Sequence, residues 1–161
     1  MGETMCASWM RQFGVATKIV RPFHTYGPGM SLDDGRVFAD FVADIVNNKN
    51  LRLNSAGEAK RVFCYISDAT KAFFTVLLKG KSGEAYNVAN PFAEISIISL
   101  AELLVSLFPE KKLCVLKHAI NSKMASKTPQ TLPDIGKISE LGWRPETDLA
   151  TGFRRTVESF S

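Results

Sequence analysis

The stretch Arg21-Pro22-Phe23-His24-Thr25-Tyr26-Gly27-Pro28-Gly29-Met30 sets the tightest limits on what this chain can fold into. Before it, Val15-Ala16-Thr17-Lys18-Ile19-Val20 is apolar, rich in β-branched residues and bounded by Gly14 and Pro22, which reads as a buried strand over 15–21. Pro22 has no N–H to donate and is expected to end the ladder. Tyr26-Gly27-Pro28-Gly29 must then bend the chain sharply, since its two glycines reach backbone conformations that other residues resist. A strand running straight into such a loop is how open α/β sheets hold ligands, at the carboxyl ends of their strands.

The flanking pattern alternates between helix and strand. Met5, Trp9 and Phe13 recur at four-residue spacing in a helix over 3–13 that no capping residue precedes. Val37, Phe38, Phe41, Val42, Ile45 and Val46 share one face of a second helix, started by Asp33-Asp34-Gly35. A short strand at 51–53, a turn at Ser55-Ala56-Gly57 and a strand over 61–66 come next, and Ser67 is placed to cap a helix over 68–79 that turns Ala72, Phe73, Val76 and Leu77 inward. Strands at 85–89 and 113–116 flank a helix over 98–108. Residues 117–132 read as a polar loop, Pro133-Asp134 starts a short helix, and Asp148 caps a last helix whose Leu149, Phe153, Val157 and Phe160 share a face. Alternation of this kind places the chain in the α/β class.

Composition narrows the function. The 161 residues carry a net charge of +4, but Lys and Arg lie singly among Asp and Glu, so there is no basic stripe for nucleic acid. A few arginines reserved for an anionic small molecule fit better, and that points to phosphate. No apolar run approaches the roughly 18 residues of a membrane span, and Met1 to Cys6 lack the order of a signal peptide, so a cytoplasmic location is expected, without membrane contact. Three widely spaced cysteines, Cys6, Cys64 and Cys114, suit buried free thiols rather than a disulfide framework or a metal site.

Motifs in order along the chain carry a resemblance: Arg21 to Met30, Asp33-Asp34-Gly35-Arg36-Val37, Lys60-Arg61-Val62-Phe63-Cys64-Tyr65-Ile66-Ser67-Asp68, Tyr86-Asn87-Val88-Ala89-Asn90-Pro91, Pro133-Asp134-Ile135 and Leu141-Gly142-Trp143. Together they resemble the C-terminal half of an extended short-chain dehydrogenase/reductase, the NAD-dependent nucleotide-sugar epimerase/dehydratase family, with UDP-glucuronate decarboxylases as the most similar subgroup. The resemblance implies the last helix and strands of a Rossmann-type cofactor sheet plus a small α/β substrate-binding domain. Residues 1–30 are then the tail of the NAD-binding domain, and 31–161 are mainly the substrate-binding domain, with strand 85–89 returning to the cofactor sheet.

The family's Tyr-x-x-x-Lys pair and its glycine-rich fingerprint are absent from these residues; Gly27-Pro28-Gly29 opens no helix and lacks a third glycine. The chain is therefore expected to be a fragment whose catalytic tyrosine and lysine precede Met1, inactive alone, with NAD held mainly by the N-terminal half. No catalytic residue is assigned. The resemblance implies that Arg61 grips the diphosphate of a nucleotide sugar, that Val37 and Asn54 flank its base, and that His24 contacts phosphate or sugar where many relatives have asparagine. Pro22, Phe23 and Thr25 would line the nicotinamide, and Arg36 would reach cofactor or phosphate. Asn54 departs from the aromatic residue that relatives often carry. Thr131-Leu132-Pro133 lacks the arginines that the decarboxylases have there, and the spacing of Lys123 and Lys127 does not replace them, so epimerase or dehydratase is the broader expectation. Tyr26 has no lysine four residues on and reads as a packed loop residue; Tyr65, Tyr86 and Trp143 read as core.

In the family the helix here over 3–13 helps to form a dimer, and Met5 and Trp9 would suit that contact. The alternative function is a non-catalytic module that binds a nucleotide or a protein partner.

Overall fold

A computed structural model describes residues 1–117 and 132–160. The chain opens with α1 (Gly2–Phe13), which has no side-chain cap at its start and ends on Gly14, whose φ of 67° lets its N–H reach Met10 O. β1 (Ile19–Pro22) runs parallel to β6 (Ala85–Val88), with Ile19 opposite Ala85 and Pro22 opposite Val88. This strand begins later than the apolar run suggests, because Thr17 meets the turn at Gly83 rather than a strand, its carbonyl accepting from Gly83 N at 2.7 Å. Pro22 is the last paired residue of β1, as expected, and the bond that closes the ladder is donated one residue on, by Phe23 N–H to Val88 O at 3.0 Å.

The expected strand over 61–66 is two strands. β4 (Lys60–Val62) pairs antiparallel with β7 (Glu94–Ser96), whereas β5 (Cys64–Tyr65) pairs parallel with β2 (Thr25–Tyr26). Phe63 is the pivot, with its N–H on Ala93 O, while Cys64 N–H has already moved to His24 O, both at 3.3 Å. Gly27 makes room for Ile66, since a Cβ at position 27 would stand 2.2 Å from Ile66 Cγ2. β3 (Leu51–Leu53) and β8 (Val115–Lys117) form a further parallel pair.

One core joins Tyr26 and Phe63 to the buried faces of α2 (Val37–Val46), α4 (Ile97–Leu107) and α6 (Leu149–Glu158). Asp148 caps α6, accepting from Thr151 N at 2.9 Å. A second core packs α3 (Ile66–Lys79) and Ile138 of α5 (Gly136–Ser139) against the β1–β6 pair. Trp143 closes it, as a buried plug whose Nε1–H donates to Asp68 O at 2.9 Å. The Asp68 carboxylate in turn accepts from the backbone of Glu146 at 3.1 Å and Thr147 at 2.8 Å.

Three readings of the sequence are corrected here. Ser67 does not cap α3, which starts at Ile66 with no side-chain cap. Phe73 and Leu77 are 47% and 62% exposed rather than inward, because only the narrower stripe of Ala69, Ala72 and Val76 fits against the strands. Of the free cysteines only Cys64 is buried, while Cys6 is intermediate and Cys114 exposed. The polar segment with Lys123, Lys127 and Thr131 lies outside the described residues.

Candidate ligand-binding site

The sharp turn after β1 sets a histidine beside an aromatic floor that Arg36 also touches, and Arg61 is close enough to act on that histidine by its charge. His24 sits between β1 and β2 with a φ of 27°, a left-handed backbone that few residues other than glycine adopt. Such strained positions gather at ligand sites. Its ring centroid lies 5.7 Å from that of Phe63 and 6.5 Å from that of Phe38, which themselves meet edge to face at 5.4 Å. Loss of hydration on that side lowers the pKa of His24, and the positive fields of Arg61 and Arg36 lower it further.

Arg36 is the residue before α2, where the positive end of the helix dipole disfavours a cation. Asp34 offsets this: its carboxylate accepts from Arg36 N at 2.9 Å and from Arg36 Nε at 2.6 Å, and also pairs with Nη2. The guanidinium holds the Asp34 carboxyl below its ordinary range. The guanidinium carbon also stands 4.6 Å from the centroid of Phe38, a cation–π contact. Arg61 on β4 is exposed and donates from Nη1 to Lys60 O at 2.7 Å, with no carboxylate partner among the described residues.

The other expected residues divide. Val37, half-buried, is the first residue of α2 and packs on the first core. Pro22 is exposed and Phe23 half-buried at the end of β1. The Thr25 hydroxyl is buried without a hydrogen-bond partner among the described residues, a loose end that a ligand amide can satisfy. Asn54 is exposed in the bend after β3, and no side-chain hydrogen bond joins it to the cluster among the described residues. Sequence reasoning missed the floor: nothing in the spacing of Phe38 and Phe63 separates a ring that serves a site from one that fills a core.

Neither Tyr26 nor Cys64 is poised for acid–base or nucleophilic work. Burial pushes the Tyr26 hydroxyl well above its ordinary range and the Cys64 thiol up to about 12. Among the described residues no group of three or more His, Cys, Asp or Glu is placed to hold a metal. A hollow of about 430 Å³ lies away from this cluster, beyond the far end of α2, lined by Asp44, Lys49 and Arg52 among others.

Residues 1–89 match the NAD dependent epimerase/dehydratase family. The chain belongs to that family. UDP-glucuronic acid decarboxylase 6 of Arabidopsis thaliana is 34% identical over 99% of this chain and 45% of its own length. UDP-glucuronic acid decarboxylase 1 of Xenopus tropicalis is 32% identical over 99% of this chain and 37% of its own. A solved mutant of UDP-glucuronic acid 4-epimerase from Bacillus cereus, in complex with UDP-4-deoxy-4-fluoro-glucuronic acid and NAD, superposes with a TM-score of 0.81 at 25% identity, covering 99% of this chain and 49% of that one. UDP-glucose 4-epimerase from Thermotoga maritima shares the fold, with a TM-score of 0.82 at 24% identity over 98% of this chain and 50% of that one. The chain thus spans less than half the length of these curated relatives and about half that of the solved structures. As an epimerase/dehydratase family member it combines mixed α/β elements with parallel strand pairs, and no described helix is long and apolar enough to cross a membrane.

Proposed function

We propose that this chain is the substrate-side portion of an NAD-dependent nucleotide-sugar enzyme, an epimerase, dehydratase or decarboxylase that oxidises the sugar transiently. The observation that carries the reading is the meeting of His24 and Arg36 on the Phe38–Phe63 floor at the end of a parallel strand, with Arg61 close enough to act on His24 by its charge, in a chain of this family. Arg61, with no carboxylate partner among the described residues, grips the diphosphate; a guanidinium suits two phosphate oxygens at once. Arg36 and His24 complete the anion wall, and Val37 and Asn54 flank the base.

Residues 1–30 and strand 85–89 belong in this proposal to the cofactor half, and residues 31–161 mainly to the substrate half. The residues present fit a nicotinamide: exposed Pro22 at the end of β1, half-buried Phe23 beside it, and the Thr25 hydroxyl at the start of β2, buried and without a partner among the described residues. NAD, when bound, supplies the hydride acceptor, while these side chains orient its ring and Arg36 stays within reach of the cofactor or the substrate phosphates. The Tyr-x-x-x-Lys pair and the glycine-rich loop come from the remaining half of such a protein, so the chain by itself turns over no sugar nucleotide.

A homodimer through α1 is part of the same proposal. Met5, Trp9 and Phe13 are 56%, 52% and 64% exposed at four-residue spacing, an apolar stripe that a second copy of the helix can cover. A cytoplasmic setting suits the three free thiols, one of them exposed.

Calorimetric titration of the chain with UDP-glucose tests the site: saturable binding that weakens in Arg61→Ala supports it, and equal binding by both proteins contradicts it.

A further inference from the structure

The surroundings of His24 carry the anion site one step further, resting on the proposed nucleotide-sugar function. Two aromatic rings and two cations surround the imidazole. Phe38 comes from α2 and Phe63 from the β4–β5 pivot, while Arg61 of β4 and Arg36 at the start of α2 act on it by their charge. The nearby carboxylates are engaged elsewhere. Asp34 is paired with Arg36, Glu94 of β7 with Lys60 at 3.4 Å, and Asp33 accepts from the Ser31 hydroxyl. No carboxylate among the described residues pairs with the imidazole. His24 is exposed, but its ring faces lose part of their hydration to Phe38 and Phe63, so before a ligand arrives a third positive charge beside the two guanidiniums is unfavourable both for that reason and by repulsion. A diphosphate between the two guanidiniums reverses that field, and an imidazole N–H then faces a phosphate oxygen.

We propose that the site takes up a proton together with its ligand, His24 being a neutral imidazole in the free chain and an imidazolium donating to a phosphate oxygen in the complex. The proton comes from solvent, because the diphosphate diester of a nucleotide sugar stays fully ionised near neutral pH. Affinity then rises as the pH falls, by up to about tenfold per pH unit in the window between the free and bound pKa values of His24. An asparagine, the residue that the resemblance places there, cannot couple binding to protons. His24 thus makes this site selective for dianionic ligands at mildly acidic pH.

Titration of the chain with UDP-glucose at about pH 6.5, near the ordinary histidine pKa, in two buffers of different ionisation enthalpy reads the proton count directly. The proposal expects net uptake of a fraction of a proton, lost in His24→Asn, which still binds. In NMR titrations the His24 ring signals move to a higher pKa at saturating UDP-glucose. Binding with buffer-independent heat overturns the proposal and leaves the site reading intact, as does uptake that persists in His24→Asn, since the chain's other histidine is His118. Absence of binding at millimolar UDP-glucose overturns both. The wild-type measurement decides even if the variant does not fold.

Discussion

The guanidinium of Arg36 is held by the carboxylate of Asp34 two residues earlier while its carbon stands 4.6 Å from the ring centroid of Phe38 two residues later. Its position is therefore fixed, but part of its charge is already answered. Arg61 differs, with only a backbone carbonyl to bond.

This contrast predicts unequal losses. Arg61→Ala removes roughly 1.5–3 kcal/mol of UDP-glucose affinity, the range for a hydrogen bond to a charged group, and Arg36→Ala removes less. Isothermal titration of both variants checks the order; a larger loss from Arg36→Ala contradicts it.

Asp68 joins α3 to the segment before α6, with two backbone N–H groups on one carboxylate oxygen. Asp68→Ala leaves two part-buried donors unmet and is expected to lower the unfolding free energy by about 1–3 kcal/mol. Asp68→Asn keeps an acceptor and loses less. Urea denaturation of the two variants separates these outcomes.

Gly152 faces the Tyr26 hydroxyl, and a Cβ there would stand 2.2 Å from the oxygen and 2.9 Å from Cζ. Tyr26 cannot swing aside, since its ring stacks on Phe153 with centroids 4.0 Å apart. Gly152→Ala is expected to destabilise the chain by about 1–3 kcal/mol through overpacking, despite alanine's better helix propensity. A thermal melt reads the sign.

The ordinary pKa of histidine is 6.5, and folding lowers that of His24, first by dehydration and then by Arg61 and Arg36. Below 6.5 the unfolded chain accordingly binds more protons at this residue than the folded one, so stability increases with pH through the window and its deficit is complete below the folded pKa. Above 6.5 the residue makes no difference. Denaturation midpoints of wild type and His24→Asn are expected to diverge as the pH is lowered through this window, with wild type losing more.

Trp9 is 52% exposed on the α1 stripe. Trp9→Glu is expected to convert the proposed homodimer to monomer in sedimentation while leaving UDP-glucose affinity unchanged; a monomeric wild type at tens of micromolar contradicts the dimer.

Much of this fold is legible in the sequence where one local rule suffices. The α2 stripe, the Asp148 cap and the Trp143 plug each come from spacing or a single motif, and each is present. What is not legible depends on the partner. Val15 to Lys18 looks like strand, but Thr17 faces a turn, and the run at 61–66 alternates smoothly although Phe63 sends its two ends to different sheets. α3 has apolar residues around most of its circumference, so periodicity alone does not say that Ala69, Ala72 and Val76 point inward while Phe73 and Leu77 do not. At the site, His24, Arg36 and Arg61 stand out by residue type, whereas Phe38 and Phe63 look like any core ring.

The most direct measurement of the central claim is a residue-resolved NMR titration of the chain with UDP-glucose, following the His24 ring and the Arg36 and Arg61 guanidinium resonances. Saturable shifts at all three, together with Phe38 and Phe63, are the predicted result. Binding that shifts only resonances around Asp44, Lys49 and Arg52, or none in the His24 cluster, would contradict the assignment of this strand end as the nucleotide-sugar wall.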